Sequence, residues 1–262
     1  MDYYSSLANG LIRNKIYKLV GPIDEIPFYG FKIHISSEPL KAQKLLNIIE
    51  RYCLDNKITY KYIFKKEDYY ASLKKDFDRF SSGKFITIYP STEYIFKKTL
   101  YDLNELLGNK YNGPYILSDK QYSGSNVLYY RYGRMKEEAP YKITKNNSVY
   151  IDNNHSLYAL PDWIREPFPN VSDQESSYLF KTYKIEKCIH LSNTGGVYLG
   201  VDINNNKHII KEARPYVGYS TNLTDDSIVY RRNEFDNFNY ISNLLNVPKV
   251  KESFLILIIF SL

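Results

Sequence analysis

The sequence predicts an α+β protein whose first part carries a mixed or antiparallel sheet with packed helices. Stretches with the period of a strand alternate with stretches of helical period through the first 150 of the 262 residues. A region rich in Pro and Asn follows, and three closely spaced strand patterns come after it. We therefore expect one domain at residues 1–150, a linker at 151–178 and a smaller unit at 179–262.

The elements of the first domain follow from local patterns. Apolar and polar residues alternate over residues 31–36, which is typical of a half-buried strand. Further strands are predicted at residues 58–64, 84–89 and 126–132. Helices are predicted after Pro39, over residues 70–80 and after Pro90. The last of these ends at Gly108, because a helix C-terminus favours a residue with positive φ.

The last part of the chain predicts a small β-rich unit. Strands are expected at residues 183–190, 197–202 and 207–212, and the Asn-rich loop at 203–206 indicates a hairpin. A helix that contains Glu234 follows.

Composition narrows the class of protein. The formal net charge of +6 suits a polyanionic or phosphorylated partner without choosing between them. Two cysteines predict no disulfide framework, and their spacing with the four histidines predicts no metal site. The N-terminus has no signal-peptide pattern, and the longest apolar run is far shorter than the ~20 residues of a membrane helix. We expect a cytoplasmic protein.

Two basic residues share one face of the first predicted strand. Lys32 and His34 are two residues apart, so both point away from the face of Phe31, Ile33 and Ile35. On the next strand, Lys61 lies between two tyrosines. These patterns alone favour a solvated sheet face over a functional one.

Four motifs in order give the chain a family resemblance. Residues 31–36, the strand with Lys61, residues 79–90, and residues 113–119 followed by 129–133 resemble the lyase domain of class III lanthipeptide synthetases. That domain is itself similar to the bacterial phosphothreonine lyase effectors. The resemblance covers nearly all of residues 1–150.

The resemblance implies β-elimination of phosphate from phosphoserine or phosphothreonine in a lanthipeptide precursor peptide, which leaves dehydroalanine or dehydrobutyrine. It places Lys61 as general base, with a pKa lowered by burial and neighbouring cations, and His34 as general acid. No cofactor is implied for this reaction. The resemblance also implies a phosphate-binding set: Lys32, Arg79, Lys84, Tyr89, Arg131 and Arg134.

The second unit resembles the N-lobe of a protein kinase, which follows the lyase domain in class III synthetases. Gly195 and Gly196 match a glycine-rich loop, Lys211 a strand lysine and Glu234 its helix partner, so these four are candidate nucleotide-binding residues. No His-Arg-Asp or Asp-Phe-Gly motif follows. We expect an incomplete N-lobe without phosphoryl transfer of its own, with ATP or GTP and Mg²⁺ relevant only in a full-length kinase context.

The expected partner is the phosphorylated precursor peptide, leader plus core, with the remaining kinase and cyclase domains as further candidates and neither nucleic acid nor membrane. Three alternatives remain open at this point. A phosphopeptide-binding module would use the same cations without chemistry. A nucleic-acid-binding protein would expose its aromatic residues along a basic groove. A free-standing phosphothreonine lyase effector would not need the attached kinase-like unit.

Overall fold

The computed structural model describes residues 3–122, 124–152, 157–168, 181–242, 250–254 and 257–261. Contacts divide the chain into two units. The first unit comprises Met1–Ser72 and Phe80–Asn170, and the second comprises Leu73–Arg79 and Val171–Leu262. Helices and antiparallel sheets both occur in the described part, which confirms the predicted α+β class.

The first unit is built on a seven-stranded sheet in the order β1-β2-β4-β5-β3-β7-β6. All neighbouring strands pair antiparallel, so the choice between mixed and antiparallel is settled for this sheet. Its strands are β1 (Leu11–Arg13), β2 (Tyr17–Val20), β3 (Tyr29–Ile35), β4 (Thr59–Ile63), β5 (Ile86–Tyr89), β6 (Lys120–Gln121) and β7 (Leu128–Arg134).

Three α-helices accompany this sheet: α1 (Ala42–Asp55), α2 (Lys66–Ser72) and α3 (Glu93–Leu107). In α3 the Thr92 side chain accepts a hydrogen bond from the Ile95 amide, and the helix ends at Gly108 with φ of 52°, as the sequence predicts. Phe96 of α3 stacks on Phe31 of β3 with ring centroids 4.8 Å apart. One face of the sheet is thereby buried as the core.

A small hairpin of β8 (Lys142–Lys145) and β9 (Ser148–Ile151) follows β7. Its turn residues Asn146 and Asn147 have φ values of 50° and 63°, the left-handed conformation that asparagine tolerates in tight hairpins. Part of the predicted linker also packs on the first unit. Glu166 accepts a 2.7 Å hydrogen bond from the Tyr130 hydroxyl, and the ring of Phe168 lies 5.4 Å from that of Tyr130.

The helix predicted over residues 70–80 is wrong beyond Ser72, where α2 ends. The backbone after it bonds within the second unit instead. The Leu73 carbonyl accepts from the Gly218 amide at 2.7 Å, and the Lys75 carbonyl accepts from the Asn193 amide at 3.0 Å. Long-range contacts of this kind override a local helical pattern.

The second unit contains a five-stranded antiparallel sheet in the order β10-β11-β12-β14-β13. One α-helix in its described part, α4 (Ser227–Ser242), follows β12 in the chain, and the predicted loop at 203–206 is indeed a hairpin turn. Its strands are β10 (Lys184–Ser192), β11 (Gly195–Val201), β12 (Lys207–Glu212), β13 (Val250–Phe254) and β14 (Leu257–Ser261). None of the helices in the described part of either unit has the length and apolar character that crossing a membrane requires.

Candidate functional site

The polar face of the first sheet carries the candidate catalytic residues in one row. Lys61 on β4 and His34 on β3 are both register partners of Thr87 on β5, which lies between them. On the other side of β3, Lys32 is paired with Arg131 of β7. Because every second residue of a strand faces the same way, this register brings three strands' basic groups to one surface.

A cavity of about 610 Å³ opens over this surface. Seven of the eight residues that the resemblance selects in the first part of the chain line it together: Lys32, His34, Lys61, Lys84, Tyr89, Arg131 and Arg134.

Arg79 is the exception. It falls in the Leu73–Arg79 segment of the second unit, where it lines a different pocket with Phe77 and His190. Arg79 is not among the described residues around the cationic cavity. The local sequence around Arg79 does not indicate that it belongs to the second unit. That assignment depends on contacts between residues more than a hundred positions apart, such as the hydrogen bond of Asn193 with Lys75.

The charge of Lys32 is weakened by its surroundings. Burial lowers its pKa to about 7, with Asp152 opposing the shift and Arg131, Lys61 and Lys84 adding to it. Its ammonium donates a 2.9 Å hydrogen bond to the backbone carbonyl of Arg134. Lys32 therefore changes charge near neutral pH.

His34 forms a buried pair with Asp119, a residue that the sequence patterns did not assign to the site. Burial lowers the pKa of His34 to about 4, against the pull of the Asp119 carboxylate that is hydrogen-bonded to its Nδ1 atom. Asp119 also accepts from the Ser118 hydroxyl at 2.8 Å and lies 3.8 Å from the Lys84 ammonium. At neutral pH the imidazole is therefore neutral, so its Nδ1–H donates to Asp119 and its Nε2 atom is left as an acceptor.

Lys61 behaves differently from the prediction. Burial lowers its pKa, but Tyr89 and Tyr17 stabilise its ammonium more strongly, so the pKa of Lys61 is raised. The ammonium lies 4.4 Å from the ring centroid of Tyr17 and 5.8 Å from that of Tyr89. The expected lowering is therefore wrong, since Tyr89, Tyr17 and Glu137 together outweigh burial.

Asp152 is a second carboxylate that sequence reasoning missed. It is buried and accepts a 3.0 Å hydrogen bond from Nη2 of Arg131, which is also buried. Its other oxygen accepts from the Arg134 amide at 2.7 Å. The Asn-Asn turn at 146–147 is a hairpin signal that could have placed Asp152 next to β7, since β8 and β9 follow that strand directly.

The candidate nucleotide residues of the second unit lie on its sheet and helix. Lys211 of β12 and Glu234 of α4 form an ion pair, and Arg231 also pairs with Glu234. Gly195 has φ of 147°, and a Cβ atom at this position would collide with the Glu212 carbonyl. Backbone packing alone thus requires a glycine there, whatever the loop binds.

Metal binding has no visible basis in the described ranges. No group of three or more His, Cys, Asp or Glu side chains there is arranged to hold an ion. Cys53 is buried and Cys188 exposed, and neither forms a disulfide.

Fold and cavity together define an α+β protein with a polar cavity, lined by lysines, arginines and an imidazole together with several carboxylates. Residues 14–177 match the family described as RamC, N-terminal domain, and the chain belongs to that family. It is also 28% identical over 240 residues to the probable SapB synthase of Streptomyces coelicolor. That alignment covers 86% of this chain and 26% of the synthase, so the chain spans about a quarter of its relative's length. These matches confirm the resemblance to class III lanthipeptide synthetases.

Proposed function

We propose that the first unit eliminates phosphate from phosphoserine or phosphothreonine in a lanthipeptide precursor peptide. The observation that carries this proposal is the convergence of an imidazole and several lysines and arginines on one cavity, in a chain of the RamC N-terminal family. The chemistry needs a base for the Cα proton and cations for a leaving group of about −1.5 to −2 charge.

Within the peptide, the reaction breaks two bonds and forms one. A base takes the Cα proton, the electron pair left behind forms the Cα–Cβ double bond, and the Cβ–O bond breaks as its electrons leave with the phosphate. A proton donor then neutralises the departing oxygen. The peptide keeps dehydroalanine from phosphoserine, or dehydrobutyrine from phosphothreonine.

His34 is the proposed proton donor. Burial lowers its pKa, so the imidazole alone is neutral at pH 7 and its Nε2 atom holds no proton for the leaving group. A phosphate dianion beside the imidazole stabilises the charged form and raises this pKa. Asp119 accepts the hydrogen bond from Nδ1, so Nε2 is the atom that carries the transferable proton once substrate is bound.

Lys61 is the proposed base. Its ammonium is stabilised by Tyr89, the phenol that the resemblance assigns to phosphate binding. A phosphate dianion in the same cavity stabilises the ammonium as well, as it does the imidazolium of His34. Burial, the largest single influence on Lys61, opposes this charge and favours the neutral amine, which is the form that accepts the Cα proton.

The remaining cations bind the phosphate. Arg131 and Arg134 supply planar guanidinium donors that match phosphate oxygens, and Lys32 and Lys84 supply ammonium groups. Arg79 keeps its predicted phosphate-binding role as a proposal only, with no support from the lining of the cavity.

For the second unit we propose a kinase-like N-lobe that contributes nucleotide-binding groups in a longer synthetase. A strand lysine paired with a helix glutamate is the arrangement that positions nucleotide phosphates in kinases, and Lys211 and Glu234 form this pair. The antiparallel five-stranded sheet with one helix inserted before β13 supports the same reading. ATP or GTP with Mg²⁺ would then act in the full-length context.

A phosphopeptide-binding module is the second candidate function. Two observations favour it: burial lowers the pKa of His34 and the pKa of Lys61 is raised, which suits binding more than proton transfer. Binding needs cations but neither a neutral lysine nor a proton donor.

Mass spectrometry of a phosphoserine peptide separates these candidates. We expect the chain to remove the mass of phosphoric acid and leave a product that captures a thiol. Lys61→Ala should abolish this loss while the peptide still binds, and Lys44→Ala, an exposed lysine on α1, should react as the wild type does. Tight binding without any mass loss would favour the binding module, and undiminished loss in Lys61→Ala would remove Lys61 from the proposal.

A further inference from the structure

Two residues flank the β8–β9 hairpin at its base and reach the cavity. The Asp152 amide donates a 2.9 Å hydrogen bond to the Tyr141 carbonyl, which closes the base. The Tyr150 hydroxyl of β9 donates to the Tyr132 carbonyl at 3.1 Å and fixes the hairpin on β7. The hairpin is therefore anchored to the strand that carries both arginines of the site.

The two arginines pose a geometric problem. Arg131 and Arg134 are three residues apart on β7, and an odd spacing in a regular strand directs side chains to opposite faces. Both nevertheless line the cavity. Some contact at the end of β7 must hold Arg134 on the cavity side.

Each base residue of the hairpin contacts the guanidinium of a different arginine, and Asp152 also contacts the Arg134 backbone. Asp152 accepts from Nη2 of Arg131 with one carboxylate oxygen and from the Arg134 amide with the other. The approach is close, because a Cβ atom on Gly133 would lie 2.8 Å from that second oxygen. The Tyr141 ring centroid lies 3.6 Å from Cζ of Arg134, so the guanidinium stacks on the phenol ring.

We propose that the β8–β9 hairpin is an arginine clamp, in which Asp152 orients Arg131 and Tyr141 orients Arg134 toward the leaving phosphate. The inference rests on the proposed elimination, since it assigns positioning residues to that site. Guanidinium groups bind phosphate through paired donors in a fixed plane, so their orientation decides how well they stabilise the leaving group.

Tyr141 offers the cleaner test, because its side chain is exposed and its replacement leaves the core intact. Tyr141→Phe keeps the stacked ring, whereas Tyr141→Leu removes it. We expect Tyr141→Leu to weaken the binding of inorganic phosphate about threefold to tenfold by calorimetry, and Tyr141→Phe to stay within about twofold of wild type. Equal affinities for the two variants would overturn the clamp.

Asp152→Asn tests the contact of Asp152 with Arg131, and the readout is whether kcat and KM change separately. It keeps the shape of the side chain but loses the charge that fixes Arg131, while one negative charge fewer in the cavity favours anion binding. We expect kcat for the phosphopeptide to fall about tenfold to a hundredfold, with KM unchanged or lower. A general loss of structure would instead impair both, and the exposed Asp55→Asn serves as a charge-matched control. A wild-type kcat in Asp152→Asn would contradict the proposal.

Wild-type behaviour separates the two proposals. A wild type that binds phosphate but eliminates none overturns the lyase function, and the clamp is then judged by the phosphate affinities of the Tyr141 variants. A wild type that binds no phosphate overturns both.

Discussion

The two faces of the first sheet are made from alternate residues of the same strands, yet they follow different rules. On one face, Phe31 and Tyr130 pack against Phe96 and exclude water. On the other, Lys32 and Arg131 line an open cavity. The core face is specified by apolar periodicity within each strand, whereas the cavity face depends on carboxylates and phenols supplied by other parts of the chain.

A change on the cavity face should affect the reaction far more than the fold. We expect His34→Gln to lower elimination by about 10²- to 10⁴-fold, the factor that a positioned general acid contributes. Rates on a phosphoserine peptide would measure this. The matched control is His190→Gln, since His190 is exposed on β10 of the second unit. A His34→Gln rate within threefold of wild type would mean that the imidazole is not the acid.

A change on the core face should instead affect the stability of the fold more than the reaction. We expect Phe96→Ala to lower the free energy of unfolding by about 3–5 kcal/mol, because it leaves a cavity against Phe31 and Tyr130. Denaturant unfolding followed by fluorescence of the sole tryptophan, Trp163, reports on the first unit. Tyr94→Ala, exposed on the same helix, should change this free energy by under about 0.5 kcal/mol. A loss below 1 kcal/mol in Phe96→Ala would refute the packing described for this face.

Lys32 links the cavity face to stability, because its ionisation makes the free energy of unfolding depend on pH. Its pKa is about 7 in the folded chain and 10.5 in the unfolded chain, so between these values the unfolded chain binds more protons. The Lys32 contribution to stability therefore rises from pH 7 to pH 10. We expect the stability of wild type relative to Lys32→Met to increase between pH 7 and pH 9. Parallel pH curves would show that Lys32 keeps an ordinary pKa.

The smallest effect is expected in the second unit. The Lys211–Glu234 pair has side chains about a quarter exposed, so Glu234→Gln should cost under about 1 kcal/mol. Loss of one partner from the buried Arg131–Asp152 pair is expected to cost about 3–5 kcal/mol. Urea unfolding followed by circular dichroism would compare the two. A cost above 2 kcal/mol for Glu234→Gln would show that this pair is more important to the fold than its exposure implies.

The sequence alone predicted the alternation of residues that separates the two faces of the sheet, and most of the strands and helices of the first unit. Strand periodicity placed Lys32 and His34 on the polar face, and the family resemblance selected Lys61, Lys84, Tyr89, Arg131 and Arg134, which also line the cavity. The β1–β2 hairpin escaped prediction although Asn14 begins its turn with a positive φ of 49°. Asp119 escaped because its contact with His34 spans 85 positions, and no local pattern encodes which loop meets which strand. For Arg79 the family motif predicted a place in the phosphate-binding set, but the structure groups this residue with the second unit, which no local pattern indicates.

The position of Glu166 and Asp152 bears on where this chain can be divided. A cut at residue 150, where periodicity suggested a boundary, would retain every strand of the first sheet. It would discard the carboxylate that binds Arg131 and the one that accepts from Tyr130. The shortened polypeptide would fold around a guanidinium that has lost its carboxylate partner and a phenol that has lost its acceptor. An autonomous first unit therefore has to extend at least to Phe168.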